Sequence, residues 1–203
     1  KTNQRVLAHS GKQVRPVLAL LTAKACSGGF VTEETIHFAA AAELIHNATL
    51  LHDDVADNSP VRRGEPTVMS LLGGRASVLL GDYWLVKGIE SVLSVNTFSG
   101  KVIRIFSNTL SDLAEGELLQ LQKADTCDTT ESDYYRIIYN KTASLFVASA
   151  NTAAISVSAS DEKRKAAKLY AECLGIAFQI KDDIFDYEGG DLTGKPSGLD
   201  LEE

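Results

Sequence analysis

The chain is sparing with the residues that break helices. Only four of its 203 residues are proline. A proline inside a helix costs about 3 kcal/mol, so most of this chain is free to be helical. No stretch alternates apolar and polar residues for long, which argues against a β-sheet protein. Cysteine is scarce as well. Cys26, Cys127 and Cys173 are odd in number and lack metal-ligand spacing. That excludes a disulfide framework or a thiolate metal site and predicts buried thiols in a reducing cytoplasm. No apolar run reaches the ~20 residues of a membrane span, and no signal peptide is visible. Contact with a membrane surface stays compatible with this composition. Positive charge is in deficit: 20 Lys and Arg against 27 Asp and Glu give a net charge of −7. Without a basic tail or run, nucleic acid is excluded as a partner.

What remains is rich in Ala, Leu, Glu and Lys and 44% hydrophobic, with apolar residues recurring at helical spacing. The spacing predicts helices over 14–25, from after Thr32 to before Pro60, and over 77–95, 100–122, 132–158 and 161–187. Thr32 is a natural N-cap, with Glu33 and Glu34 in the first turn behind it. Ser27-Gly28-Gly29 closes the helix before. Glycines 88, 116 and 175 weaken the helices that contain them. No fixed-period repeat and no linker-like break occurs, so residues 1–203 read as a single all-α domain, a bundle of long packed helices. Lys1 opens the chain and Glu203 follows closely on a loop, which predicts a piece of a longer polypeptide.

The segment "LLHDDVADNSPVRRGEPT" places Asp53, Asp54 and Asp57 within five residues, with Arg62 and Arg63 just beyond. On a helix, positions i and i+4 share a face about 6 Å apart along the axis, so Asp53 and Asp57 point together. Acid at a helix C-terminus opposes the macrodipole. A second segment, "FQIKDDIFDY", repeats the pattern with Asp182, Asp183 and Asp186 near the end of another helix. Two carboxylate clusters without soft ligands suit a hard ion such as Mg²⁺, which keeps several waters and takes one or two carboxylates plus substrate phosphates. A metal-bound diphosphate also needs cationic donors. Candidates are Arg62 and Arg63, Lys12 and Arg15 at a helix start, Lys141 and Thr142 inside a helix, and Lys195 in "TGKPSG". Each has an ordinary alternative. Lys12 and Lys195 could be solvated, Lys141 could snorkel, and the arginines could pair with Glu65. Their co-occurrence with two acidic clusters favours the diphosphate.

Together, "GKQVRP", "ELIHNATLLHDDVADNSPVRRGEPT", "LLGDY", "NKTASLF", "FQIKDDIFDY" and "LTGKPSGLDL" resemble, in order and over nearly the whole chain, the trans-isoprenyl diphosphate synthase (polyprenyl synthetase) family. The family's opening helix and its closing C-terminal helices would lie outside this chain. The resemblance implies a helical bundle around a central cavity and head-to-tail prenyl transfer. An allylic diphosphate ionises, its carbocation alkylates isopentenyl diphosphate, and a proton is lost. It implies Mg²⁺, with Mn²⁺ as a substitute, on Asp53, Asp54, Asp57, Asp182, Asp183 and Asp186. It places the allylic diphosphate on Arg62, Lys141, Thr142, Gln179 and Lys195, and isopentenyl diphosphate on Lys12, Arg15, His46 and Arg63. A homodimer in the cytoplasm, releasing product at a membrane surface, is the implied setting.

Two other readings are weaker. A class I terpene cyclase carries a different second metal motif and needs no second diphosphate pocket. A non-catalytic regulatory subunit would be expected to have degraded aspartate motifs, and both are intact here. For product length, Thr49 sits one turn below Asp53, and Ala48 lies beside it. In the family an aromatic residue four or five positions before the first aspartate stops the chain early. Both positions are small here, which predicts a long-chain synthase rather than a farnesyl or geranylgeranyl producer. Tyr83, Trp84 or Phe146 from another helix could still close the path.

Overall fold

The computed structural model describes residues 11–187. Helix α1 (Val14–Ser27) ends at Gly28, whose left-handed φ of 82° lets its N–H reach back to Lys24 O. Helix α2 (Glu33–Ala56) starts in a capping box between Thr32 and Thr35. A two-residue ladder follows, β1 (Val61–Arg62) against β2 (Glu65–Pro66), then a short helix α3 (Val68–Leu72). The long helices α4 (Gly74–Leu93) and α5 (Ser99–Thr126) come next. Helix α6 (Glu131–Ile138) runs through a π-helical segment (Tyr139–Ala143) into α7 (Ser144–Ser156). Helix α8 (Asp161–Tyr187) completes the described chain.

The expected helices are present, the short α3 is not among them, and three further features differ. The segment expected as one helix over 132–158 carries the π turn. The tiny hairpin interrupts an otherwise helical fold; its turn residues Arg63 and Gly64 both have positive φ, 54° and 77°, as a two-residue hairpin loop requires. Cys127 and Cys173 are exposed and Cys26 is half-buried, so the thiols are not the buried ones expected.

Helix α7 is the hub. Its residues are buried on every side, among α1, α2, α5 and α8. Its hydroxyls avoid going unpaired by bonding back along the helix, Ser149 to Leu145 O at 2.7 Å and Thr152 to Ala148 O at 2.8 Å. Thr35 ties α2 to its far end through Ser156, 2.6 Å away. Phe38, Ala41, Ala42, Ile45, Val102, Phe106 and Leu145 form the main core.

The helical glycines are contact points rather than weaknesses. A Cβ on Gly88 would lie 3.2 Å from Ile45 Cγ1, so its absence brings α4 onto α2. Gly116 of α5 and Gly175 of α8 grip the π segment from two sides. Their added Cβ atoms would meet Asn140 Cβ at 2.8 Å and Ala143 Cα at 2.6 Å. Among the described residues, no helix is long and apolar enough to cross a membrane.

Candidate active site

Helix α2 delivers the first acidic cluster at its C-terminal end, where Asp57 is the C-cap and its N–H donates to Asp53 O. The Asp53 carboxyl is pushed up from an ordinary 3.8 to about 7. Burial is the main cause, and the carboxylates of Glu117 and Asp57 add to it against Lys141 and Arg62. Asp54 is buried and paired: Arg62 Nε lies 2.6 Å from its Oδ1. Burial also raises its pKa, with Arg62 opposing. Arg62 thus reaches back to the helix rather than pairing with Glu65, the ordinary alternative for the arginines.

Helix α8 delivers the second cluster. Asp182 is exposed, while Asp183 is held at both oxygens. Gln179 Nε2 donates to Oδ1 at 2.7 Å, and the Tyr134 hydroxyl donates to Oδ2 at 2.5 Å. Thr142 in turn donates to Gln179 Oε1 at 2.7 Å. Asp186 is half-buried one turn on. In each cluster, then, the second aspartate is already fastened to protein.

The π segment joins the two. Lys141 Nζ is 2.6 Å from Gln120 Oε1 and 3.0 Å from Glu117 Oε1, and it lies within electrostatic reach of Asp53. Thr142, the next residue, faces Gln179 and the second cluster. Tyr134, Glu117 and Gln120 are the site neighbours that sequence reasoning missed. None belongs to either aspartate motif, and Tyr134 lies five residues before the π segment.

The second group of cations lies at the start of α1. Lys12 is exposed. Arg15 is buried, its guanidinium 4.8 Å from the centre of the Phe146 ring, and its Nε has no hydrogen-bond partner among the described residues. Burial and the neighbouring Arg63 lower its pKa to about 10 against the pull of Glu43. A buried donor without an acceptor is costly, and an anion would satisfy it. The guanidinium of Arg63 rests on Gly11, where a Cβ would collide with it. His46 is held neutral: burial and then Arg15, Arg63 and Arg62 push its pKa down to about 2. Arg15, His46 and Arg63 thus come together, exposed Lys12 follows the Gly11 that Arg63 rests on, and Lys195 lies outside the described residues.

Below Asp53, Thr49 is half-buried and turns its hydroxyl back to His46 O at 2.9 Å. Ala48 is fully buried and its carbonyl faces Gly81 of α4. Of the bulky side chains that could have closed this path, Tyr83 points outward beside Lys87, and Phe146 packs under Arg15 and against Phe178. Trp84 is buried in α4.

Among the described residues, no three His, Cys, Asp or Glu side chains are drawn together into a metal cage. Mg²⁺ takes most of its ligands from water and substrate oxygens, so its fit here rests on donor chemistry. The donor set is all oxygen, and a cation beside Asp53 would relieve the charge that burial now suppresses.

The polyprenyl synthetase family profile matches residues 1–203. The octaprenyl diphosphate synthase of Escherichia coli (strain K12) is 40% identical over 98% of this chain and 60% of its own length. The chain thus spans less than two thirds of that relative. The heptaprenyl diphosphate synthase structure from Staphylococcus aureus superposes with a TM-score of 0.91 at 34% identity, covering 98% of this chain and 62% of that one. A polyprenyl synthase from Caulobacter crescentus CB15, solved with calcium and isoprenyl diphosphate, gives a TM-score of 0.86 at 37% identity, covering 94% and 57%.

Proposed function

This chain belongs to the polyprenyl synthetase family, and on that footing we propose that the protein condenses isopentenyl diphosphate with an allylic diphosphate to build a long trans polyprenyl diphosphate. One observation carries the reading: the half-buried, charge-suppressed Asp53 lies within electrostatic reach of Lys141, whose neighbour Thr142 donates to Gln179, which in turn donates to Asp183. Both acidic clusters are thereby held around one short stretch that also supplies a cation.

The hard step is parting a highly charged diphosphate from a carbocation. Asp53, Asp57, Asp182 and Asp186 would hold Mg²⁺, with Asp54 and Asp183 supporting them. When bound, the metal neutralises charge that develops on the leaving oxygens. Arg62, Lys141 and Lys195 would add positive charge, and Thr142 and Gln179 polar contacts. The second diphosphate would sit on Lys12, Arg15 and Arg63 beside a neutral His46, where the orphaned Arg15 Nε gains an acceptor. The buried apolar wall formed by α2, α5 and α7 keeps water from the carbocation. The departing diphosphate can take the proton, since no side chain is uniquely placed as a base.

The small Ala48 and Thr49 support a long product. The exposed apolar side chains Leu79, Tyr83, Val86 and Leu93 along α4 support a homodimer through that helix. Exposed Cys127 and Cys173 suit the cytoplasm, where thiols stay reduced. An apolar product would then be released at a membrane surface.

The test is incorporation of labelled isopentenyl diphosphate into farnesyl diphosphate. It should proceed with Mg²⁺ or Mn²⁺ and cease with EDTA. Ionisation of the allylic substrate without consumption of isopentenyl diphosphate would indicate a cyclase. Absence of turnover by a folded full-length protein would indicate a regulatory subunit.

A further inference from the structure

We propose that Tyr134 is a positioning residue for the second acidic cluster, and that the π turn is what aims it. The inference rests on the prenyl-transfer reading of that cluster and goes beyond it by assigning a role to a residue outside the charged motifs.

Tyr134 and Thr142 stand eight positions apart. On an unbroken α-helix that separation turns through about 800°, leaving two side chains about 80° out of line. A π turn absorbs one extra residue, equivalent to removing about 100°, so the two come to within about 20° of each other. The segment Tyr139–Ala143 provides that turn. The aligned pair meets a matching pair on α8: Gln179 and Asp183, one turn apart. Thr142 donates to Gln179 at 2.7 Å, Gln179 donates to Asp183 at 2.7 Å, and Tyr134 donates to Asp183 at 2.5 Å.

The result is a closed chain of hydrogen bonds from one helix to the other. It engages both Asp183 oxygens and both ends of the Gln179 amide, so the α8 turn that carries Asp182 is fixed in rotation and height. A hydroxyl donating to a carboxylate is a strong, directional bond. Groups that orient metal-binding carboxylates without touching the metal change metal affinity by about tenfold to a hundredfold when removed. Gly116 and Gly175 press on the π segment from either side, which keeps the turn from relaxing into a regular helix.

Calorimetric titration of the full-length protein with inorganic diphosphate and Mg²⁺, without turnover, tests this. Tyr134→Phe keeps the ring and removes only the hydroxyl. It should weaken Mg²⁺-dependent diphosphate binding by about tenfold or more, while the thermal midpoint of the metal-free protein stays within about 2 °C. Tyr135→Phe, at its exposed neighbour, should change nothing. In an Asp183→Asn background Tyr134→Phe should have little further effect, because both changes break one interaction. Wild-type affinity in Tyr134→Phe would overturn the proposal, as would two effects that simply multiply. If the wild-type protein bound no Mg²⁺-diphosphate at all, the prenyl-transfer reading would fall and this inference with it.

Discussion

Arg62 Nε lies 2.6 Å from Asp54 Oδ1, and the Asp54 side chain is only 6% exposed while that of Arg62 is 33% exposed. The arginine that follows the acidic motif is thus the counter-ion of its middle aspartate. Removing one partner of a buried pair strands a charge. Arg62→Ala should therefore cost about 3 kcal/mol of stability by denaturant titration. Adding Asp54→Asn should return much of that loss by removing the stranded charge. Equal stability of Arg62→Ala and wild type would place the pair among weak surface contacts.

The raised Asp53 pKa makes a prediction in pH. In the folded, metal-free protein this carboxyl holds its proton up to about pH 7, whereas the unfolded chain releases it near 3.8. Its stabilising contribution is whole below the lower value and is lost as pH rises through the higher one. Asp53→Asn should therefore raise the thermal midpoint of the metal-free protein at pH 8, by about 3 °C or more, and should do nothing at pH 3. Turnover by the same variant should fall by orders of magnitude. A metal-free variant less stable than wild type at pH 8 would mean that Asp53 is structural.

The two diphosphate positions should separate kinetically. Lys12→Ala and Arg15→Ala should mainly raise KM for isopentenyl diphosphate. Arg15→Lys should restore little, since a lysine cannot reproduce a guanidinium stacked on Phe146. Lys195→Ala should mainly weaken use of the allylic substrate. Initial-rate kinetics with each substrate varied in turn decide it, and equal effects on both substrates would contradict the division.

Gly175→Ala should be felt at the site although no charge is touched. Its new Cβ would lie 2.6 Å from Ala143 Cα, a backbone atom that cannot swing aside, so α8 or the π turn must move. Overpacking of this kind costs about 1–3 kcal/mol. The measurements are a denaturation curve and the Mg²⁺ concentration for half-maximal rate, both of which should worsen.

How much of this was legible in the sequence follows from where each signal resides. Thr32, with two glutamates behind it, marked the start of α2, because capping and charge act locally. The aspartate spacing placed each cluster on one helix face. The π turn left no such mark, since an i→i+5 segment has no composition of its own, and so Tyr134 could not be aligned with Thr142. Gly116 and Gly175 read as weak points, because their value lies in a neighbouring helix that is distant in sequence. The Arg63-Gly64 hairpin was hidden by its shortness. The two exposed cysteines ran against the general habit of free thiols to be buried.

The most direct test of the account is the size of the product made from farnesyl diphosphate, isopentenyl diphosphate and Mg²⁺. Thr49 is half-buried in line with Asp53, whereas Ala48 is fully buried against the α4 side and Ala48→Tyr must also displace its neighbours. Wild type should extend well past geranylgeranyl diphosphate, and Thr49→Phe should shorten the product while leaving the first condensation largely intact. A wild-type product that stops at geranylgeranyl diphosphate, or one whose length Thr49→Phe and Ala48→Tyr both leave unchanged, would contradict the account.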